Sequence, residues 1–388
     1  MKLNVLIVGA GMYVCGRGTA GYGTVLPSLA EACRLGLVDR ISAAATSGAS
    51  IKILGQKVRG LNRLTGLDLT IPGWPKQGKD AGSYKKIIAR ERPDCAIVVV
   101  PDHLHAHIAA DLIKQGIHTF IVKPLAPSMA EAEALVKLLQ KNKVYGAVDF
   151  HKRFDEANRK LRDVIAGGEI GDPLYFIVEY SQKKIIPEKL FRAWVEKTNI
   201  FQYLGVHYAD LIYFVTGAKP LRVLATGQRN WLAKKGINTY DSIQVLIEWS
   251  MPSTKKKFVS SILTNWIDPQ AASSMSDQKI KVIGTQGRYE SDQKNRGVQI
   301  VTDSAGIEDF NPYFSQFYSD GQGKKVFRGY GERSIRCFLT DVQDIMTGRR
   351  TPSQLEGVRP TFKQALVSTA IVDAVNLSLK RNGAWVTI

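Results

Sequence analysis

Before Phe150, apolar residues come in short runs separated by stretches in which they recur every three or four positions. The runs Leu3–Val8, Ile41–Ala45, Ala96–Val100, Thr119–Val122 and Tyr145–Val148 predict strands. Between them Val25–Arg34 and His105–Gln115 predict helices, the second stopped by Gly116. Ser128-Met129-Ala130-Glu131 has the form of a capping box, opening a helix that turns Leu135, Leu138 and Leu139 to the sheet. Strands alternating with helices in this way predict a doubly wound α/β domain with a parallel sheet.

After Phe150 the alternation lengthens. Pro173–Tyr180, Ser242–Trp249 and Lys257–Trp266 predict strands, and Leu161–Ala166 and His207–Val215 predict helices, so an α+β domain is expected to follow. The chain closes on helices. Ile335, Phe338, Leu339, Val342 and Ile345 share one helical face ending at Gly348, and Leu366 to Val375 mark another. The expected division is residues 1–148 against 149–388. Ser253–Lys257 and the mixed charges of Asp292–Arg296 are expected to be solvated turns.

Composition agrees with two domains: 388 residues, 44% hydrophobic and 23% charged, exceed the roughly 250–300 residues at which a single core stops growing. Lys+Arg 53 against Asp+Glu 35 leaves a net charge of +18, a surface that attracts anions. No helix-turn-helix or aromatic RNA-binding motif accompanies that charge, so nucleic acid is not expected as a partner. Cys15, Cys33, Cys95 and Cys337 are scattered without a CxxC pair, which suits free thiols in a reducing cytoplasm. No leader pattern and no apolar run of the ~20 residues needed to span a membrane is read, so a cytoplasmic protein with no membrane partner is expected.

Gly9-Ala10-Gly11 follows the first strand directly, where a dinucleotide fold needs glycines so that backbone can approach a pyrophosphate. The third glycine of the usual spacing is replaced by Val14, and the chain continues through Cys15-Gly16-Arg17-Gly18-Thr19-Ala20-Gly21-Tyr22-Gly23. This predicts a lengthened phosphate loop: Gly9, Gly11, Met12 and Gly16 lie along the cofactor, Gly16 and Gly18 give flexibility, and Arg17 is a candidate phosphate contact. The alternative is a glycine-rich surface loop without a ligand. The second strand lacks the acidic residue that usually binds the adenosine ribose and ends in Ala43-Ala44-Ala45-Thr46-Ser47-Gly48. Ser47, Gly48 and Lys52 are therefore candidates for a 2′-phosphate, which favours NADP over NAD; otherwise Lys52 is a surface residue of the next helix.

Taken in order, Gly9-Ala10-Gly11, the segment from Val98 to His105, Val122-Lys123-Pro124, Gly205-Val206-His207-Tyr208-Ala209-Asp210 and Arg359-Pro360-Thr361-Phe362 give a chain that resembles the Gfo/Idh/MocA oxidoreductases. The resemblance implies an α/β Rossmann domain followed by an α+β domain with a large open, mostly antiparallel sheet. It implies a homodimer or homotetramer formed through that sheet. It also implies NAD(P)-dependent oxidation of a secondary hydroxyl on a sugar, nucleotide sugar or polyol, with Pro101 and His105 near the cofactor. Two positions depart from the pattern: the acidic residue before the lysine is Val122, and the aspartate four residues before the histidine is Tyr203.

Removing a hydroxyl proton as hydride leaves carbon requires a positioned base. Lys123 stands at a strand's carboxyl end, where open α/β sheets bind ligands, and nearby cations are expected to lower its pKa. Lys123, His207 and Tyr203 are the catalytic candidates; Lys123, His207 and Asp210 are the candidates for holding the substrate. His103, His105 and His107 enter a helix, on which positions two apart diverge, so no metal site is expected. Trp266, Asp268, Tyr289 and Arg296 are left between substrate and subunit contact. Lys183, Lys184, Lys189 and Arg192 favour an anionic sugar. A nicotinamide-dependent glycosidase and a ligand-sensing regulator remain as alternatives.

Overall fold

The computed structural model describes residues 1–388, which divide into two compact units. The first comprises residues 1–126, 130–154 and 313–365. Its sheet is built from β1 (Leu3–Val8), β2 (Val38–Ala44), β3 (Gly73–Trp74), β4 (Cys95–Val98), β5 (His118–Val122) and β6 (Gly146–Asp149). All pairs are parallel, in the order β3-β2-β1-β4-β5-β6. The order reverses between β1 and β4, which opens a crevice at their carboxyl ends, the position at which such sheets bind ligands.

Helices flank this sheet: α1 (Met12–Cys15), α2 (Val25–Arg34), α3 (Gly48–Thr65), α4 (Ser83–Glu91), α5 (His105–Lys114) and α6 (Met129–Asn142). The strands are almost wholly apolar and buried because helices cover both faces. The unit continues with the hairpin of β15 (Gln316–Ser319) and β16 (Lys325–Arg328), then α10 (Tyr330–Met346). Ile335, Phe338, Leu339 and Val342 of α10 belong to the same core as β1 and α2, with Phe338 4.9 Å from Phe120 between ring centres. Segment 313–365, placed by its linear position in the second domain, thus lies in the first unit.

The second unit comprises residues 127–129, 155–312 and 366–388. It holds α7 (Glu156–Ala166), α8 (Val206–Thr216), α9 (Trp231–Lys234), the hairpin β13–β14 (Gln299–Thr302, Gly306–Asp309) and most of α11 (Phe362–Lys380). Its sheet runs β12-β11-β7-β10-β9-β8-β17, from β7 (Pro173–Lys183), β8 (Lys219–Gln228), β9 (Ser242–Ser250), β10 (Lys257–Asp268), β11 (Ser276–Gly284), β12 (Arg288–Asp292) and β17 (Val386–Thr387). Only β7 and β10 pair parallel. Alternate residues of β7 bury Phe176, Val178 and Tyr180 and leave Tyr175, Ile177 and Glu179 exposed, so one face of the sheet is open.

Asp292–Arg296 is not a solvated turn. Arg296 forms an ion pair with the N-cap carboxylate of α7, Asp155, and donates to Ser291 Oγ at 2.7 Å. Lys294 lies 3.4 Å from Asp277 and 3.5 Å from Asp309. Tyr289 donates its hydroxyl to Ala157 O at 2.9 Å, so this stretch fastens the sheet edge to α7.

Candidate active site

At the end of β1 the backbone of Gly9 has φ +124°, and a Cβ there would stand 2.0 Å from the carbonyl oxygen of Val99. Only glycine lets the β1 and β4 ends approach so closely. Beside it Gly11 faces open space, with nothing within 4 Å of where its Cβ would be, so main chain is accessible at the crevice. This cradle fits a pyrophosphate that must meet backbone rather than side chains. Met12 begins the turn α1 directly after it, and Val14 at the missing third-glycine position is buried in the core.

The lengthened loop is tied to the rest of the unit at several points. Gly16 takes the left-handed conformation (φ +70°) that ends α1, and a Cβ there would meet Gly21 O at 2.0 Å. Lys57 of α3 donates to Thr19 O at 2.8 Å and Gly21 O at 2.6 Å, and Tyr22 packs edge-on against Phe317. The loop is therefore folded on itself and pinned to α3 and the β15–β16 hairpin. Arg17 emerges exposed and donates to Ser50 Oγ at 2.8 Å. Ser50 Oγ is in turn 3.0 Å from Ser47 Oγ, and Ser47 caps α3 by accepting from Ser50 N. Arg17 and Ser47 are thus brought together beyond β2. Gly48 is occupied by packing: its N–H donates to Gly78 O and a Cβ would meet Lys76 O at 2.7 Å. Lys52 is exposed one turn along α3, with no contact to this cluster.

On the other side of the crevice, Pro101 leads into a 3-10 turn, Asp102–Leu104, and then α5. His105 is fully buried, with Nδ1 2.7 Å from Pro124 O and Nε2 3.0 Å from Val100 O. Its ring ties the end of β4 to the loop after β5, so it supports the Lys123 segment from behind. Desolvation lowers its pKa, opposed by Asp102 and the two carbonyls. His103 and His107 do not join it, and no group of three or more His, Cys, Asp or Glu is placed to hold a metal ion.

Lys123 follows β5 and keeps part of its surface open. Burial lowers its ammonium from the usual 10.5 to about 7, against the opposing charges of Asp102 and Asp149. The cause differs from the expected one: neighbouring charges hold the proton on, and loss of water takes it off. Asp149 ends β6 in register with Val122 and is buried. Its carboxylate accepts from Tyr13 Oη at 2.6 Å and Ser334 Oγ at 2.7 Å.

In the second unit, a turn of π-helix, Phe201–Gly205, leads into α8. His207 and Asp210 are buried three residues apart on α8, and the Tyr180 ring lies 6.5 Å from that of His207. Tyr203 stacks with Trp266 at 6.3 Å and meets Phe191 edge-on at 4.9 Å. Burial, reinforced by Tyr203, raises the pKa of Tyr180. Trp266 is buried and donates to Tyr240 O, while burial next to Asp277 raises the pKa of Asp268. The basic run is partly matched locally: Lys184 lies 4.1 Å from the Trp231 ring, Arg192 pairs with Glu196 at 3.1 Å, and Lys189 is exposed.

Residues 67–150 match the family model described as an oxidoreductase family with an NAD-binding Rossmann fold, and residues 158–290 match the Gfo/Idh/MocA C-terminal domain. The chain belongs to the Gfo/Idh/MocA oxidoreductase family. It is 23% identical over 221 residues to a myo-inositol 2-dehydrogenase of Thermotoga maritima, covering 57% of this chain and 63% of that one. It is 26% identical over 164 residues to a 1,5-anhydro-D-fructose reductase of Ensifer adhaerens, covering 41% of this chain and 49% of that one. The fold is shared with scyllo-inositol dehydrogenase of Lactobacillus casei, solved with NAD(H) and scyllo-inositol (TM-score 0.68, 16% identity, 100% of this chain and 99% of that one). Within this Gfo/Idh/MocA chain, sequence reasoning overlooked Asp149 as a charge facing Lys123. An acidic residue closing an otherwise apolar strand was the available signal. It also overlooked Lys152, buried in the turn after β6.

Proposed function

We propose that this protein is an NAD(P)-dependent dehydrogenase that oxidises a secondary hydroxyl of a cyclitol or sugar-like polyol. The observation that carries the reading is Lys123, a lysine whose surroundings bring it near neutrality at the carboxyl end of a strand in an NAD-binding fold. A neutral amine there accepts the hydroxyl proton, and the same group as ammonium returns it in the reverse reaction. When bound, the nicotinamide supplies the hydride acceptor. His207 and Asp210 are assigned to the substrate's hydroxyls, and Tyr203 to shaping the pocket, since its ring is taken up by Phe191 and Trp266. The resemblance to inositol dehydrogenases supports a neutral polyol as the first substrate to test. Incubating the protein with each nucleotide and a panel of inositols and sugars, while following reduced nicotinamide, tests the reading. A glycosidase would release product with no net reduction, and a regulator would bind nucleotide without turnover.

The cofactor reading extends to NADP. β2 runs into Ala45-Thr46-Ser47 without the usual ribose-binding carboxylate, the neighbouring Asp80 is paired with Lys86 at 2.8 Å, and Arg17 stands beside Ser47 and Ser50. Charge-assisted contacts of this kind contribute roughly 1.5–3 kcal/mol, about tenfold or more in affinity. Calorimetric titration should therefore show NADP bound about tenfold more tightly than NAD, with Arg17→Ala removing the difference. Equal affinities in the unaltered protein would refute the preference. The open sheet face bearing Tyr175 and Ile177 is assigned to subunit contact, which sedimentation measures.

A further inference from the structure

The family resemblance supplies a lysine but gives no account of how a chain with Val122 in place of the usual acidic neighbour controls it. The structure offers another carboxylate. Asp149 is 1% exposed, and both of its oxygens accept hydrogen bonds from hydroxyls on separate elements, Tyr13 of α1 and Ser334 of α10. A buried carboxylate held in this way remains costly unless a cation faces it. The strand pairing places one close by: Asp149 is in register with Val122 across β5 and β6, and Lys123 is the next residue.

We propose that Asp149 is a positioning residue for Lys123, a fixed negative charge, clamped by Tyr13 and Ser334, that sets the pH at which the lysine gives up its proton. This rests on the dehydrogenase reading for its consequence in turnover but not for the electrostatics. The other groups around the pair are Asp102, whose charge also favours the ammonium, and the buried His105, which lies within the field of Asp102 and Lys123. His151 also adjoins Asp149, with Nδ1 3.8 Å from the carboxylate and 3.5 Å from Tyr13 Oη. The His151 ring is stacked between those of Tyr13 and Tyr330, with centroid separations of 6.3 and 5.8 Å. Tyr13 directly follows Gly9-Ala10-Gly11-Met12, so the same hydroxyl that fixes Asp149 joins the cofactor cradle to the base.

The test reads Lys123 itself. Acetic anhydride acylates only the neutral amine, so the pH dependence of labelling at the Lys123 peptide, followed by mass spectrometry on the full chain, gives a midpoint without substrate. Asp149→Asn removes the negative charge, lets the proton leave more readily and moves the midpoint down by about one pH unit or more. Asp149→Glu keeps the charge and holds the midpoint near that of the unaltered protein. Tyr13→Phe leaves the carboxylate in place but removes a hydroxyl dipole that offsets part of its charge, and gives a smaller displacement in the upward direction; it carries the test if Asp149→Asn does not fold. In turnover, the acid limb of kcat/KM for polyol oxidation moves with the labelling midpoint. An unchanged midpoint in Asp149→Asn, or in Tyr13→Phe where the former cannot be purified, overturns the proposal. A midpoint that moves in a protein that oxidises no polyol upholds the role of Asp149 and defeats the dehydrogenase reading alone.

Discussion

Replacing Lys123 by methionine keeps an unbranched side chain of similar length and removes the amine that burial discharges. The fall from 10.5 to about 7 is the net of lost hydration against the attraction of Asp102 and Asp149. Between those pH values the unfolded chain binds a proton that the folded chain has partly released, so stability rises with pH through that window. At ~1.4 kcal/mol per pH unit, the folded protein at pH 7 is destabilised by roughly 4 kcal/mol on account of this one group. Because Lys123 keeps part of its surface in water, about 2 kcal/mol is the better figure. Lys123→Met removes this pH-dependent penalty together with the cation facing Asp102 and Asp149, so the stability difference between variant and unaltered protein should shift by about 2 kcal/mol in favour of the unaltered protein as pH rises from 7 to 10. Its turnover should fall by at least ~100-fold. Denaturant unfolding of both proteins at several pH values measures this difference. A difference that does not change between pH 7 and pH 10, or that shifts the other way, would refute this origin of the lowered pKa.

His207→Ala should lower kcat by about 100-fold and leave nucleotide affinity, measured by calorimetry, nearly unchanged, whereas Tyr203→Phe should retain most of the activity. Gly9→Ala places a methyl 2.0 Å from Val99 O on a backbone with φ +124°, and should cost more than ~2 kcal/mol in denaturant unfolding and weaken dinucleotide binding. Arg359 donates to both carboxylate oxygens of Asp341 at 2.7 and 3.2 Å, and Asp341 is fully buried. Arg359→Leu should therefore cost about 3 kcal/mol, and a second change, Asp341→Leu, should restore much of it.

The parallel sheet was legible because each strand is buried on both faces and writes an unbroken apolar run, and helices such as Val25–Arg34 carry their period plainly. What a helix packs against is not written in its period. The apolar face of α10 announced a helix, but nothing local said that Phe338 would lie against Phe120 rather than in the second unit. In the second sheet β7, β9 and β10 were legible, whereas β8 and β11 interrupt their alternation with charged, polar and glycine residues, and the separate hairpin strand β13 has four residues that are all exposed. At the site, Lys123, His207 and the glycines were reached through motifs, whereas Arg17 was read only as a phosphate contact of its own loop, and its bond to Ser50 beside Ser47, 33 residues away, was not legible. The Tyr13–Asp149 bond spans 136 residues and the Ser334–Asp149 bond 185, separations at which local pattern carries no information. Asp292–Arg296 misled for the same reason, since its ion-pair partners lie on other elements.

The central claim is that Lys123 is a near-neutral base for polyol oxidation, and a pH profile of kcat/KM with inositols and sugars, run with NAD and with NADP, addresses it most directly. Reduced nicotinamide should accumulate only with a polyol that fits, with an acid limb near pH 7 that Lys123→Met abolishes together with the activity. Nicotinamide reduction that persists unchanged in Lys123→Met, or a profile with no limb near neutrality, would contradict it.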